Sequence, residues 1–149
     1  MKLTKQNWLY LIVGCLIGVI IGGVISLHIT DNASRKTFKL YLESGLFWEE
    51  GEAIKRFREG YPEVAIYAQD RLILYATRLK EMEFTDEKNL SRLIGFAEGR
   101  NGVLYESIGE TSKAEKHLKN AIESLKKANI IIGVNELRSL IISSKKENK

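Results

Sequence analysis

The sequence predicts an all-α protein: one N-terminal transmembrane helix followed by a small soluble helical domain. Three observations lead there. Residues 8–29, WLYLIVGCLIGVIIGGVISLHI, contain no Asp, Glu, Lys or Arg. Beyond them, apolar residues recur every three or four positions, the period of an amphipathic helix. Strand signals are poor: there is no long alternation of β-branched residues, and Asn101-Gly102 falls inside a helical pattern rather than between two apolar runs.

The 149 residues divide into a short basic N-terminus (1–7), the transmembrane helix (8–29), a polar linker (30–36), a soluble helical domain (37–144) and a basic tail (145–149). These 22 residues rise about 33 Å as a helix, matching a hydrocarbon core of about 30 Å. Trp8 and Tyr10 suit the headgroup layer at one end, with His28 at the other. A cleaved signal peptide has a shorter apolar stretch and a small-residue exit. Ile12-Val13-Gly14-Cys15 resembles a lipobox, yet the residues after Cys15 stay apolar where a lipidated chain turns polar. An intact anchor fits better than either.

Lys2 and Lys5 precede the span; Asp31, Arg35, Lys36 and Lys39 follow it. The positive charges nearly balance, and the acidic first charge after the span favours a cytoplasmic N-terminus. The soluble domain is then expected outside the cytoplasm, on a membrane such as the bacterial inner membrane. Gly14, Gly18, Gly22 and Ser26 recur every four residues, giving a stripe without bulk on which another helix can approach closely.

Within the soluble domain a first helix is expected over 37–47, with Phe38, Tyr41, Leu42 and Leu46 on one face. A second, over about 49–59, buries Ala53, Ile54 and Phe57. Gly60-Tyr61-Pro62 breaks the chain, and Pro62 opens a third helix to about Glu83. That helix carries Val64, Ala68, Leu72, Tyr75, Leu79 and Met82 inward. Thr85, Asp86 and Glu87 start a fourth with acid at the positive dipole end. It runs to about Ile108 and buries Leu90, Ile94, Ala97, Leu104 and Tyr105. Its glycines, Gly95, Gly99 and Gly102, each cost about 1 kcal/mol relative to alanine, which close helix packing would justify. Thr111 or Ser112 caps a fifth helix that uses Ala114, Leu118, Ala121, Leu125 and Ala128. A terminal helix within 130–142 folds back through Leu137, Leu140 and Ile141.

Residues 98–126 resemble a tetratricopeptide repeat. Gly102 stands three before Tyr105, Gly109 falls at the turn, Ala114 comes nine after the tyrosine, and Leu118 and Ala121 follow. Glu98 replaces the usual tryptophan, Asn101 the usual leucine and Lys126 the closing proline. A step of 34 residues finds no second copy. The resemblance implies paired antiparallel helices and a protein-binding surface.

Chemistry is sparse. From Thr30 onward 21 basic residues face 19 acidic ones, a net of +2, without the basic stripe of a nucleic-acid binder. Cys15 is the single cysteine, which excludes a disulfide scaffold and a cysteine zinc site. His117 reads as a surface residue, since Lys113 and Ala121 at helical spacing offer no metal ligand. Glu49, Glu50 and Glu52 before Lys55, Arg56 and Arg58 match the helix dipole rather than paired acid–base groups. No catalytic residue, cofactor or metal site and no small-molecule substrate is expected. The expected partners are the lipid bilayer and proteins, either a membrane complex or a second copy. The expected role is an adaptor or scaffold in assembly or stabilisation of a membrane-associated complex; the alternative is an accessory subunit held by its glycine-striped helix.

Overall fold

The computed structural model describes the backbone of residues 5–82 and 86–146; the side chains of residues 5–21, 24, 25, 27–29, 32 and 146 lie outside that description. The helices are α1 (Lys5–Glu59), α2 (Pro62–Glu81), α3 (Glu87–Ser107), α4 (Thr111–Lys127) and α5 (Val134–Lys146), and no strand occurs among the described residues. The all-α expectation holds. The chain divides into two units, residues 1–40 and 41–149.

In the first unit the backbone is helical from Lys5. Residues 30–36, expected as a linker, belong to α1. Thr30 Oγ1 donates to Ser26 O at 2.8 Å, and Asp31 meets Arg35 one turn on at 3.0 Å. These local bonds let polar residues continue a helix. Most side chains of the expected span 8–29, including the surroundings of Gly14 and Gly18, lie outside the described residues. Among the described residues no helix is long and apolar enough to cross a membrane. A Cβ at Gly22 would meet open space, and Ser26 is exposed.

In the second unit α1 continues from Tyr41 to Glu59. The two helices expected over 37–47 and 49–59 are one, because packing on α2 holds the stretch together. The Tyr75 hydroxyl donates to Leu42 O at 3.2 Å, Arg71 pairs with Glu49, and a Cβ at Gly45 would collide with the Tyr75 hydroxyl. Gly60, at φ 85°, turns the chain into α2. Asp86 caps α3, its carboxylate accepting from Lys88 N at 3.0 Å, as the acidic start implied; Thr85 lies outside the described residues.

Gly109, at φ 81°, closes α3. Glu110 N donates to Tyr105 O at 3.0 Å and Gly109 N to Glu106 O at 3.1 Å, the paired bonds of a Schellman turn. Neither Thr111 nor Ser112 caps α4: Glu110 holds the N-cap position without a side-chain bond. Asn129, at φ 62°, repeats the Schellman ending after α4, with Ile130 N bonded to Leu125 O at 2.9 Å. Residues 130–133 lie outside any helix, and α5 starts at Val134.

Five expected core residues face solvent instead: Phe38, Tyr41, Val64, Met82 and Leu140 are all exposed. The core forms two clusters. Ala53, Ala68, Leu72, Ala76, Leu79, Leu90, Leu93 and Ala97 join α1, α2 and α3. Phe57, Ala65, Ile66, Leu104, Ala121, Leu125, Leu137 and Ile141 carry it through α4 to α5. Lys145, expected in a free tail, lies over the Phe57 ring, 5.2 Å from its centroid.

The two hairpins, α1–α2 and α3–α4, share a register. Gly60 and Gly109 stand 49 residues apart, both at positive φ. The buried residues of α4 and Ala128 at its C-cap, namely Ala114, Leu118, Ala121, Leu125 and Ala128, lie the same step after Ala65, Gln69, Leu72, Ala76 and Leu79. All ten are buried. A 34-residue step misses this because α2 and α3 run 20 and 21 residues with a loop between them.

Candidate protein-interaction site

The repeat-packing residues come together. Gly102 is buried, and a Cβ there would lie 2.6 Å from Leu118 Cγ and 3.3 Å from Ala114 O. Ala114, Leu118 and Ala121 are buried along α4, with Ala121 in the second core cluster. Tyr105 is half-buried against that cluster, and Gly109 makes the turn. Gly95 and Gly99 serve the same close approach. Cβ atoms there would lie 2.6 Å from Leu125 Cγ and 2.7 Å from Ile141 Cδ1.

Two of the three departures from the repeat pattern, Glu98 and Asn101, are buried polar residues with partners on neighbouring helices. The Glu98 carboxylate lies 2.5 Å from His117 Nδ1, and His117 stacks on Tyr105 with ring centroids 5.0 Å apart. Lys113 Nζ sits over the other partner in that stack, 5.5 Å from the Tyr105 centroid. His117 is therefore no solvent-facing residue; it fastens α4 to α3. Asn101, sealed from solvent, donates to Asp70 on α2 at 2.7 Å.

Gln69, also fully buried, links three helices. Its Nε2 donates to Ala53 O at 2.7 Å, and its Oε1 accepts from Arg100 Nε at 2.9 Å. Burial lowers the Arg100 guanidinium to a pKa of about 10, with Glu50 opposing and Arg58 reinforcing that shift. These groups lock hairpin to hairpin. Among the described residues no three His, Cys, Asp or Glu side chains gather to hold a metal ion.

A concavity of about 520 Å³ lies between α4 and α5. Leu118, Ile122 and Val134 form the floor; Glu115, Lys119, Glu123 and Arg138 edge it. Arg138 is fixed by Glu106 of α3, with Nη2 to Oε1 at 2.6 Å and Nε to both oxygens at 3.1 Å. That hydrogen bonding raises the Arg138 pKa further. An apolar floor within a charged rim is the anatomy of a protein-docking groove. Sequence reasoning named Leu118 as packing but missed the groove, which forms only where α4 and α5 come together.

Comparison with known protein families, curated proteins and solved structures gives no match for this chain.

Proposed function

We propose that this chain is a membrane-tethered helical adaptor, in which residues 8–29 anchor the protein and the hairpin domain binds a partner protein. The α4–α5 groove carries the reading: it combines an apolar floor with a fixed cation, Arg138, at its rim. A segment that inserts an apolar side chain over Ile122 and Val134 matches it. The resemblance of residues 98–126 to a tetratricopeptide repeat, in a domain of two hairpins in one register, supports a protein-binding role. The anchor rests on the sequence, on 22 residues without a charge.

The glycine stripe favours a second reading, an accessory subunit held in a complex by Gly14, Gly18, Gly22 and Ser26. Fractionation tests the tether shared by both. The full chain should resist alkaline carbonate extraction from membranes and yield to detergent; release by carbonate alone contradicts it. Protease treatment of sealed vesicles then reports on which side of the membrane the domain lies.

A further inference from the structure

The 49-residue register makes the outer face of α1 comparable with a face that the fold elsewhere covers. Tyr41, Ser44, Trp48 and Lys55 precede Leu90, Leu93, Ala97 and Leu104 by that step. The α3 residues are all buried; Leu90, Leu93 and Ala97 belong to the cluster shared with α1 and α2. In other words, this stripe is the one on which the second hairpin receives the first. On α1 none of the described residues covers it. Tyr41 is 74% exposed and Trp48 73%, and Ser44, Gly51 and Lys55 are exposed beside them.

The end of a helical array is ordinarily closed by a polar face. Here the stripe Tyr41, Ser44, Trp48, Gly51, Lys55 has the three- and four-residue alternation of a helix-pairing seam. Large aromatic residues alternate with residues of little bulk. Gly51 has no packing reason inside its own chain, since a Cβ there would meet nothing within 4 Å. Phe47, Trp48, Gly51, Glu52 and Lys55 instead surround a notch of about 270 Å³.

Charge selects the occupant. The carboxylates that flank the stripe, Glu49 and Glu52, are paired within the chain to Arg71 and Arg56, so the face offers an acidic or basic partner little counter-charge. Lys55, at its end, already faces Glu59 at 3.9 Å. Two copies of such a stripe meet without like-charge repulsion, and the knobs of one find the gaps of the other in an isologous pair. Tyr41, Phe47 and Trp48 present on the order of 450 Å² per copy, over half of the roughly 800 Å² per partner in a standard interface. We propose that the outer face of α1, centred on Trp48 and Gly51, binds a second copy of this chain as a two-fold homodimer. The proposal rests on the repeated register and not on the tether.

The test uses the full chain in detergent micelles with Trp8→Phe, which leaves Trp48 as the single indole. Sedimentation equilibrium gives the mass, and Trp48 emission reports whether this face is covered. The expected result is a dimer whose emission moves to shorter wavelength as concentration rises. Trp48→Glu, read by mass, and Tyr41→Glu should each weaken association by roughly 30-fold, as loss of a buried aromatic anchor does. Leu140→Glu, on the exposed side of α5, should leave association unchanged. Circular dichroism checks that each variant keeps its helices, which substitution of exposed residues should preserve. A monomer at every concentration overturns the proposal. A dimer with water-exposed Trp48 emission also does so, placing association in the anchor instead, and equal weakening by Leu140→Glu overturns it as well.

Discussion

Gln69 and Leu118 occupy the same place in successive hairpins, 49 residues apart and both closed to solvent. One is polar because Arg100 and the Ala53 carbonyl meet it; the other is apolar because Gly102 admits it. The same register thus holds a hydrogen-bonded seam between hairpins and a close-packed seam within one.

The polar seam predicts a double-mutant cycle. Arg100→Met leaves Gln69 Oε1 buried without its donor, which should lower stability by about 1–3 kcal/mol. Adding Gln69→Leu, the residue of the matching position, should recover most of that loss. Urea unfolding followed by circular dichroism measures both. Additive losses would show that the two side chains act independently.

The glycines predict opposite signs. Gly102→Ala forces Leu118 to move and should destabilise by about 1–3 kcal/mol despite the better helix propensity of alanine. Gly51→Ala meets nothing within 4 Å in its own chain and, at concentrations low enough to keep the chain monomeric, should stabilise it by up to about 1 kcal/mol. Thermal unfolding of the two variants side by side tests the assignment.

His117→Ala removes the partner of the nearly buried Glu98 and the ring stacked on Tyr105. A loss of about 1–3 kcal/mol is expected, measured by urea unfolding at neutral pH. A change within the scatter of surface substitutions would mean that the pair holds nothing together.

Acid dependence should follow Glu87. The Lys80 ammonium, 2.7 Å away, holds its carboxyl below the ordinary carboxylate value. A carboxylate lowered by folding supports the folded state above its unfolded pKa, and that support fades as pH falls through the lower folded value. Glu87→Gln should therefore flatten the stability curve below about pH 4.3 and leave its shape at neutral pH unchanged. Denaturant midpoints from pH 2 to 7, roughly spanning that range, give the comparison.

Much of the fold was legible in the sequence because periodicity and turn residues report local physics. Gly60-Tyr61-Pro62, Asp86 and Gly109 marked three boundaries, and the apolar stripe of α4 was read in full. What failed depended on distant partners. The Glu98–His117 pair spans 19 residues and two helices, so a search at helical spacing along one helix could not find it. Continuity of α1 depends on Tyr75 and Arg71 of α2, and the non-helical stretch 130–133 follows the turn that Asn129 makes at positive φ. Tyr41 and Val64 fit an amphipathic pattern yet face solvent, since periodicity locates a stripe without saying whether anything in the chain covers it. The α4–α5 groove exists only once both helices are placed.

The most direct test is purification of the tagged full chain in mild detergent, with mass spectrometry of the proteins that accompany it. Wild type is compared with Ile122→Arg, Val134→Arg and with Gly18→Leu, Gly22→Leu. The adaptor reading predicts a defined partner that the groove substitutions remove and the glycine substitutions leave bound. A partner set that survives the groove substitutions and disappears with the glycine stripe contradicts it, and makes the protein a subunit held by its anchor.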